Sequence, residues 1–147
     1  MSYIVNSDVE LRLGAAAYVQ LTDDDGDGVA DTAVVDEARL AAEGEVNSYL
    51  ARRFTVPIDV SAFPELADVL KSITLDAAEY RLRIRRPPAP QDVLEKYVRT
   101  LEWLRGVSEG RLELPSTAAL PANTARGVIA QAVGEERVLT REEMAGH

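Results

Sequence analysis

Apolar residues recur at spacings of three and four through three long stretches of the chain. From about Thr32 to Arg53, the residues Val34, Val35, Ala38, Ala41, Ala42, Val46, Tyr49 and Leu50 share one helical face, while Glu37, Arg39, Glu43 and Glu45 fall largely elsewhere. Gly44, inside that stretch, weakens the helix and would admit the close approach of another. A second helix is predicted from Pro64, a residue suited to an early helical position, to Arg86. It has one apolar stripe of Leu66, Val69, Leu70, Ile73, Ala77, Tyr80 and Ile84, and a second of Leu75, Ala78 and Leu82. A helix apolar on two sides belongs at the centre of a bundle. Pro87, Pro88 and Pro90 stop it, because none can donate a backbone hydrogen bond. A third helix is predicted from about Gln91 to Ser108, burying Val93, Leu94, Tyr97, Val98, Leu101, Leu104 and Val107. Trp103 lies off that stripe, where it either closes the rim of the core or contacts a partner.

The remaining segments are shorter. Ser7 and Glu10 have capping-box spacing and predict a helix from Asp8 to Leu13, ended by Gly14. Ala15 to Leu21 reads as a second short helix, and Phe54 to Ser61, with Pro57, as an extended connection. After Gly110 the periodicity disappears. Leu114 to Thr124, with Pro115 and Pro121, reads as an extended arm, and Thr140 with Glu143 marks one helical turn. Val128, Ile129, Val133, Val138, Leu139 and Met144 are apolar but share no face, so the arm is expected to lie on a partner. No strand-period segment longer than a few residues exists. The expected fold is therefore all-α: a small bundle of three long helices with short N-terminal helices over residues 1–110, and an extended C-terminal arm over 111–147.

Composition narrows the chemistry. A chain of 147 residues, 46% hydrophobic and 28% charged, fits one domain with a real core. Cysteine is absent, which removes disulfides, thiolate metal sites and cysteine nucleophiles, and the only histidine is His147. No run of about 18 apolar residues could span a bilayer. The N-terminal residues lack the basic start and apolar core of a signal peptide, so the expected compartment is cytoplasm-like, or a larger assembly that is exported. The net charge is −9, and residues 1–50 carry all of it, with eleven Asp or Glu against Arg12 and Arg39. Such a surface does not bind DNA tightly, since that needs several cations, but it can line a passage through which DNA slides.

Catalytic candidates are few. Asp76 and Glu79 could serve as an acid–base pair, but paired carboxylates at that spacing are far more often surface charge. No phosphate loop, nucleophile elbow or triad can be assembled, so an enzyme is not expected and no cofactor is required. Arg81, Arg83, Arg85 and Arg86 crowd the end of the central helix. They suit its C-terminal dipole and ion pairs with the acidic first third, or alternatively a patch for an acidic partner or a DNA phosphate.

The polar loop Leu21-Thr22-Asp23-Asp24-Asp25-Gly26-Asp27-Gly28-Val29-Ala30-Asp31 has alternating carboxylates that can converge on Ca²⁺, with the Val29 carbonyl as a further ligand. It resembles the calcium loops of dockerins and thrombospondin-like repeats. Val34 stands where an EF-hand places its bidentate Glu, leaving Asp36 as the substitute. The candidate set is Asp23, Asp25, Asp27, Val29, Asp31 and Asp36. In the other reading the loop is solvated acid, with Asp31 capping the following helix.

That loop, together with Val46-Asn47-Ser48-Tyr49-Leu50-Ala51-Arg52-Arg53-Phe54, the segment Leu75-Asp76-Ala77-Ala78-Glu79-Tyr80-Arg81-Leu82 and the end Arg137-Val138-Leu139-Thr140-Arg141-Glu142-Glu143-Met144-Ala145-Gly146, resembles the Mu-like phage small neck protein family. Leu139 departs from it where an aromatic is expected. The resemblance implies a head–tail connector, or adaptor: a helical bundle that assembles as a ring beneath the portal protein after DNA packaging. By analogy with related adaptors the ring would hold about twelve copies. It also implies a tail-side neck or tail terminator protein as partner, DNA passing through the channel without sequence-specific contacts, and a place in the virion neck. A calcium-dependent, dockerin-like binding module is the alternative.

Overall fold

The computed structural model describes residues 2–115 and 120–122. The described chain forms five α-helices: α1 (Asn6–Leu13), α2 (Ala15–Thr22), α3 (Thr32–Leu50), α4 (Ala67–Arg83) and α5 (Gln91–Ser108), with a 3₁₀ turn at Pro64–Leu66 leading into α4. The all-α expectation holds. No helix among the described residues is long and apolar enough to cross a membrane.

α4 touches every other helix. Two apolar clusters lie end to end along α3 and α4. The first joins Val9 and Leu13 of α1 and Leu21 of α2 to Val35, Ala38 and Ala42 of α3 and to Leu75, Ala77, Ala78 and Leu82 of α4. The second joins Val46 and Leu50 of α3, Leu66, Leu70 and Ile73, and Leu104 and Val107 of α5, with Tyr3, Ile58 and Leu114 from the loops. Each fully buried leucine contributes about 1.5–3 kcal/mol of transfer free energy. The clusters divide α4 by position along its axis: Leu70 and Ile73 of the first stripe serve one cluster, while Ala77 of that stripe joins Leu75, Ala78 and Leu82 of the second stripe in the other.

Local details depart from the expected boundaries. α1 begins two residues early, because the Asp8 carboxylate reaches back to accept the Val5 N–H at 2.9 Å in place of the expected Ser7–Glu10 box. On α5 the buried line is Val93, Thr100, Leu104 and Val107, with Tyr97 half-buried. Val98 is 44% exposed and Leu94 and Leu101 only half-buried, since they sit one flank round from the contact with α4. Ile84, expected in the α4 stripe, is exposed where the helix ends. Gly44 faces open space; the close approach occurs at Gly106, where an added Cβ would lie 2.7 Å from Leu112 Cδ1.

Buried polar groups fix how the helices meet. Glu43 on α3 accepts the N–H groups of Tyr3 and Ile4 at 3.0 and 3.2 Å, which ties the N-terminus to the bundle. The Tyr3 hydroxyl donates to Asn47 Oδ1 at 2.7 Å and accepts the Ile58 N–H at 2.8 Å. Where α3, α4 and α5 converge, Tyr80 and Tyr97 stack with ring centroids 4.1 Å apart, and Glu45 accepts from the Tyr97 hydroxyl and from Arg81. Burial, reinforced by the Glu45 carboxylate, pushes the Tyr97 pKa up to about 12.

The core does not end at Gly110, the expected domain boundary. Leu114 is buried in the second cluster, Leu120 packs against it, and the Thr55 N–H donates to the Pro121 carbonyl at 2.8 Å beside a Phe54–Ala122 bridge. An extended segment can bury side chains when it lies along a bundle, and spacing-based reading does not detect this. The expected assembly residues Val128, Ile129, Val133, Val138, Leu139 and Met144 lie outside the described residues. Truncation after Gly110, like Leu114→Ala, is expected to cost about 2–4 kcal/mol in urea unfolding, by removing a buried leucine side chain.

Candidate functional site

The acidic loop is built by its own backbone. Gly26 and Gly28, with φ of 78° and 81°, take left-handed conformations that a side chain would strain. Their N–H groups donate to the two oxygens of Asp23, each at 2.8 Å. Asp25 accepts the Asp27 N–H at 3.2 Å, and Asp27 accepts the Val29 N–H at 2.9 Å. These short turns aim the side chains of Asp23, Asp25 and Asp27 inward, so that one carboxylate oxygen of each lies within 4.8 Å of the others.

The remaining candidate ligands are placed otherwise. Asp31 precedes α3 and its carbonyl accepts the Val34 and Val35 N–H groups, but its carboxylate does not cap the helix. It turns back to accept the Asp24 N–H at 2.9 Å, closing the loop. Asp36 faces α1, accepting from Asn6 Nδ2 at 2.9 Å with Arg39 at 3.6 Å. The Val29 side chain is exposed. Three of the six candidate residues therefore converge, and two of the others are held elsewhere by hydrogen bonds.

Charge explains the local pKa pattern. The Gly28 N–H, with that of Gly26, holds the Asp23 carboxyl below its usual 3.8. The Asp27 N–H favours ionised Asp25, but the adjacent Asp23 and Asp27 side chains outweigh it and raise the Asp25 pKa. Three carboxylates facing one another repel, and a cation at their focus would relieve that repulsion. The set fits Ca²⁺ in donor chemistry, since all three donors are oxygen, though Ca²⁺ takes six to eight such ligands.

The arginines at the end of α4 hold this loop in place. Arg85 donates to the Leu21 carbonyl at the end of α2 and to Asp24 Oδ2 at 2.6 Å. Arg86 donates to the Gln20 carbonyl at 3.3 Å and lies 3.9 Å from Asp24. The same cations that suit the end of α4 therefore satisfy the carbonyl end of α2. Arg81 pairs with Glu45 and Arg83 with Glu79. Among the two sequence readings of this cluster, internal pairing with the acidic first third matches these contacts. Asp76 and Glu79 are likewise structural: Arg12 reaches both, at 2.6 and 3.4 Å, and Thr100 donates to Asp76 at 3.0 Å. Trp103 is half-buried against the second cluster. Pairing of Arg85 with the acidic first third was legible in the sequence, but Asp24 as its partner was not, because no periodicity relates residues 61 apart.

A test follows from the opposed shifts. Asp23, with a lowered pKa, stabilises the fold above about pH 4, and that contribution is lost as the pH falls through its folded value. Asp25, with a raised pKa, contributes below that range and loses the contribution as the pH rises. At neutral pH in chelator, thermal unfolding should therefore show a lower Tm for Asp23→Ala and an unchanged or higher Tm for Asp25→Asn.

Comparison with curated proteins returns no match at a significant level. A family model described as "Bacteriophage Mu, Gp36" matches residues 3–132, which takes in all five helices, the acidic loop and its arginine tie. With that extent matched, the chain belongs to the bacteriophage Mu Gp36 family and is a phage structural or morphogenesis protein.

Proposed function

We propose that the chain is a subunit of the phage head–tail connector, forming a ring between the portal protein and a tail-side neck or tail terminator protein, with packaged DNA passing through its channel. The observation that carries this reading is the family match over residues 3–132. The electrostatics support it. Arg12 and Arg39, the only cations of the first fifty residues, are both committed to ion pairs inside the subunit. The N-terminal half thus presents net negative charge, which suits a surface past which a polyanion must slide without adhering. The C-terminal residues, with their six apolar candidates, supply the contact with the portal protein in this reading. A phage carrying a deletion of this gene should yield DNA-filled heads and free tails that do not join, seen by electron microscopy. The full-length gene supplied in trans should restore joined particles, and normal particles from the deletion would reject the reading.

For the acidic loop we propose a structural Ca²⁺ site of low affinity, held by Asp23, Asp25 and Asp27 and stiffening the α2–α3 connection. The support is the convergence of the three carboxylates. A dockerin-like binding module, the alternative reading, gains no support from the family. Calorimetry should give a Ca²⁺ Kd weaker than about 10⁻⁵ M, since ligands beyond the three are few. Asp25→Asn and Asp27→Asn should each weaken it further. Submicromolar binding would mean further ligands complete the site, and no heat at millimolar Ca²⁺ would leave a purely hydrogen-bonded loop.

A further inference from the structure

A groove of about 330 Å³ opens between α4 and α5, lined by Ile73, Asp76, Lys96, Arg99, Thr100 and Trp103. Its floor is apolar, with Ile73 buried and Trp103 half-buried. Its polar groups divide into two kinds. Asp76 and Thr100 are bonded to each other, and Asp76 also to Arg12, so their capacity is used within the subunit. Lys96 and Arg99 have no carboxylate at ion-pair distance among the described residues. Among the described residues, the one side-chain hydrogen bond of Arg99 runs to the Glu95 carbonyl on its own helix. This contrasts with the cations on and just after α4, since Lys71, Arg81, Arg83, Arg85 and Arg86 are all paired.

The complementary charges lie elsewhere on the same chain. At the tip of the α2–α3 loop, Asp25 and Asp27 have no cationic partner among the described residues, while their neighbour Asp24 is held by Arg85 and Arg86. Val29, beside them, is 62% exposed. An acidic tip followed by an apolar side chain matches a groove with two unpaired cations and an aromatic floor. The loop is kept from its own groove: Arg85 fixes it at the end of α4, roughly 14 Å of helical rise beyond Asp76.

We propose that the loop tip of one copy docks in the α4–α5 groove of the next, with Asp25 and Asp27 facing Lys96 and Arg99, and Val29 against Trp103. The contact joins two different patches, so it is heterologous. Repeated with a closing rotation it generates a ring, and each subunit then gives one loop and receives one. The proposal rests on the connector reading for its ring, and it names the surface that builds it. It also places Ca²⁺ in competition with the neighbour, because the same carboxylates would serve both.

Charge reversal tests it on the full-length chain. Analytical ultracentrifugation should show salt-sensitive self-association of the unaltered protein. The pairs Lys96→Glu with Arg99→Glu, and Asp25→Lys with Asp27→Lys, should each weaken association by at least about tenfold while circular dichroism stays helical. An equimolar mixture of the two should recover it, since every groove then meets a loop of opposite charge. Because the chain has no cysteine, Asp27→Cys with Lys96→Cys gives an independent readout: an intermolecular disulfide ladder under mild oxidation. Association of either folded charge variant at the level of the unaltered protein, failure of the mixture to recover, or absence of the disulfide ladder overturns the proposal. The connector reading fails separately, by its own measure: particles joined normally without the gene.

Discussion

Burial of α4 on two sides is the constraint on which the rest of the structure depends. No single partner can cover a helix that carries Leu70 and Ile73 in one direction and Leu75, Ala78 and Leu82 in another. Two sets of elements must therefore pack on it: α1, α2 and the first half of α3 around one end, and α5, the second half of α3 and the loops around the other. The N-terminal helices have only eight residues each, too few to be stable alone in water, so their formation depends on this contact.

Ion pairs then set the register of what hydrophobic burial brings together. The bundle is acidic at its N-terminal end and carries its cations mainly on and after α4, so pairing across the α1–α4, α3–α4 and α2–α4 contacts is the arrangement with least unpaired charge. Arg12 reaches forward to Asp76 and Glu79, Lys71 back to Asp8, Arg81 to Glu45, and Arg85 to Asp24. Several of these pairs are half-exposed, and solvent screening keeps each one modest. Their value lies in position. Arg85 in particular fixes the acidic loop relative to the bundle through Asp24, while Asp25, Asp27 and Val29 stay exposed.

Much of this was legible from residue spacing. The three long helices and the prolines that separate them follow from periodicity and backbone chemistry, and the two-sided pattern of α4 correctly gave its central place. Spacing failed where an interaction was not periodic. Ser7 had the right type and position for a cap, yet Asp8 formed the bond. Val98 matched an apolar stripe, yet Thr100 took the buried position, since its hydroxyl could be satisfied by Asp76. Leu114 looked like part of a free arm, and only packing against the second cluster buries it.

The acidic loop shows the same division. The sequence alone determined that carboxylates would alternate around Gly26 and Gly28, because positive φ at those glycines and the Asp-to-N–H turns are local, and local geometry depends only on neighbours in the chain. It also determined the helical class and the family, through patterns spread over residues 3–132. Only the tertiary structure decided which of the carboxylates remain free to meet a partner. Asp24 is paired by Arg85, Asp31 closes the loop on the Asp24 N–H, and Asp36 is bonded to Asn6 of α1, through contacts that residue type and spacing did not predict. Coulombic pairing depends on distance in space, and that distance is set by how α4 packs.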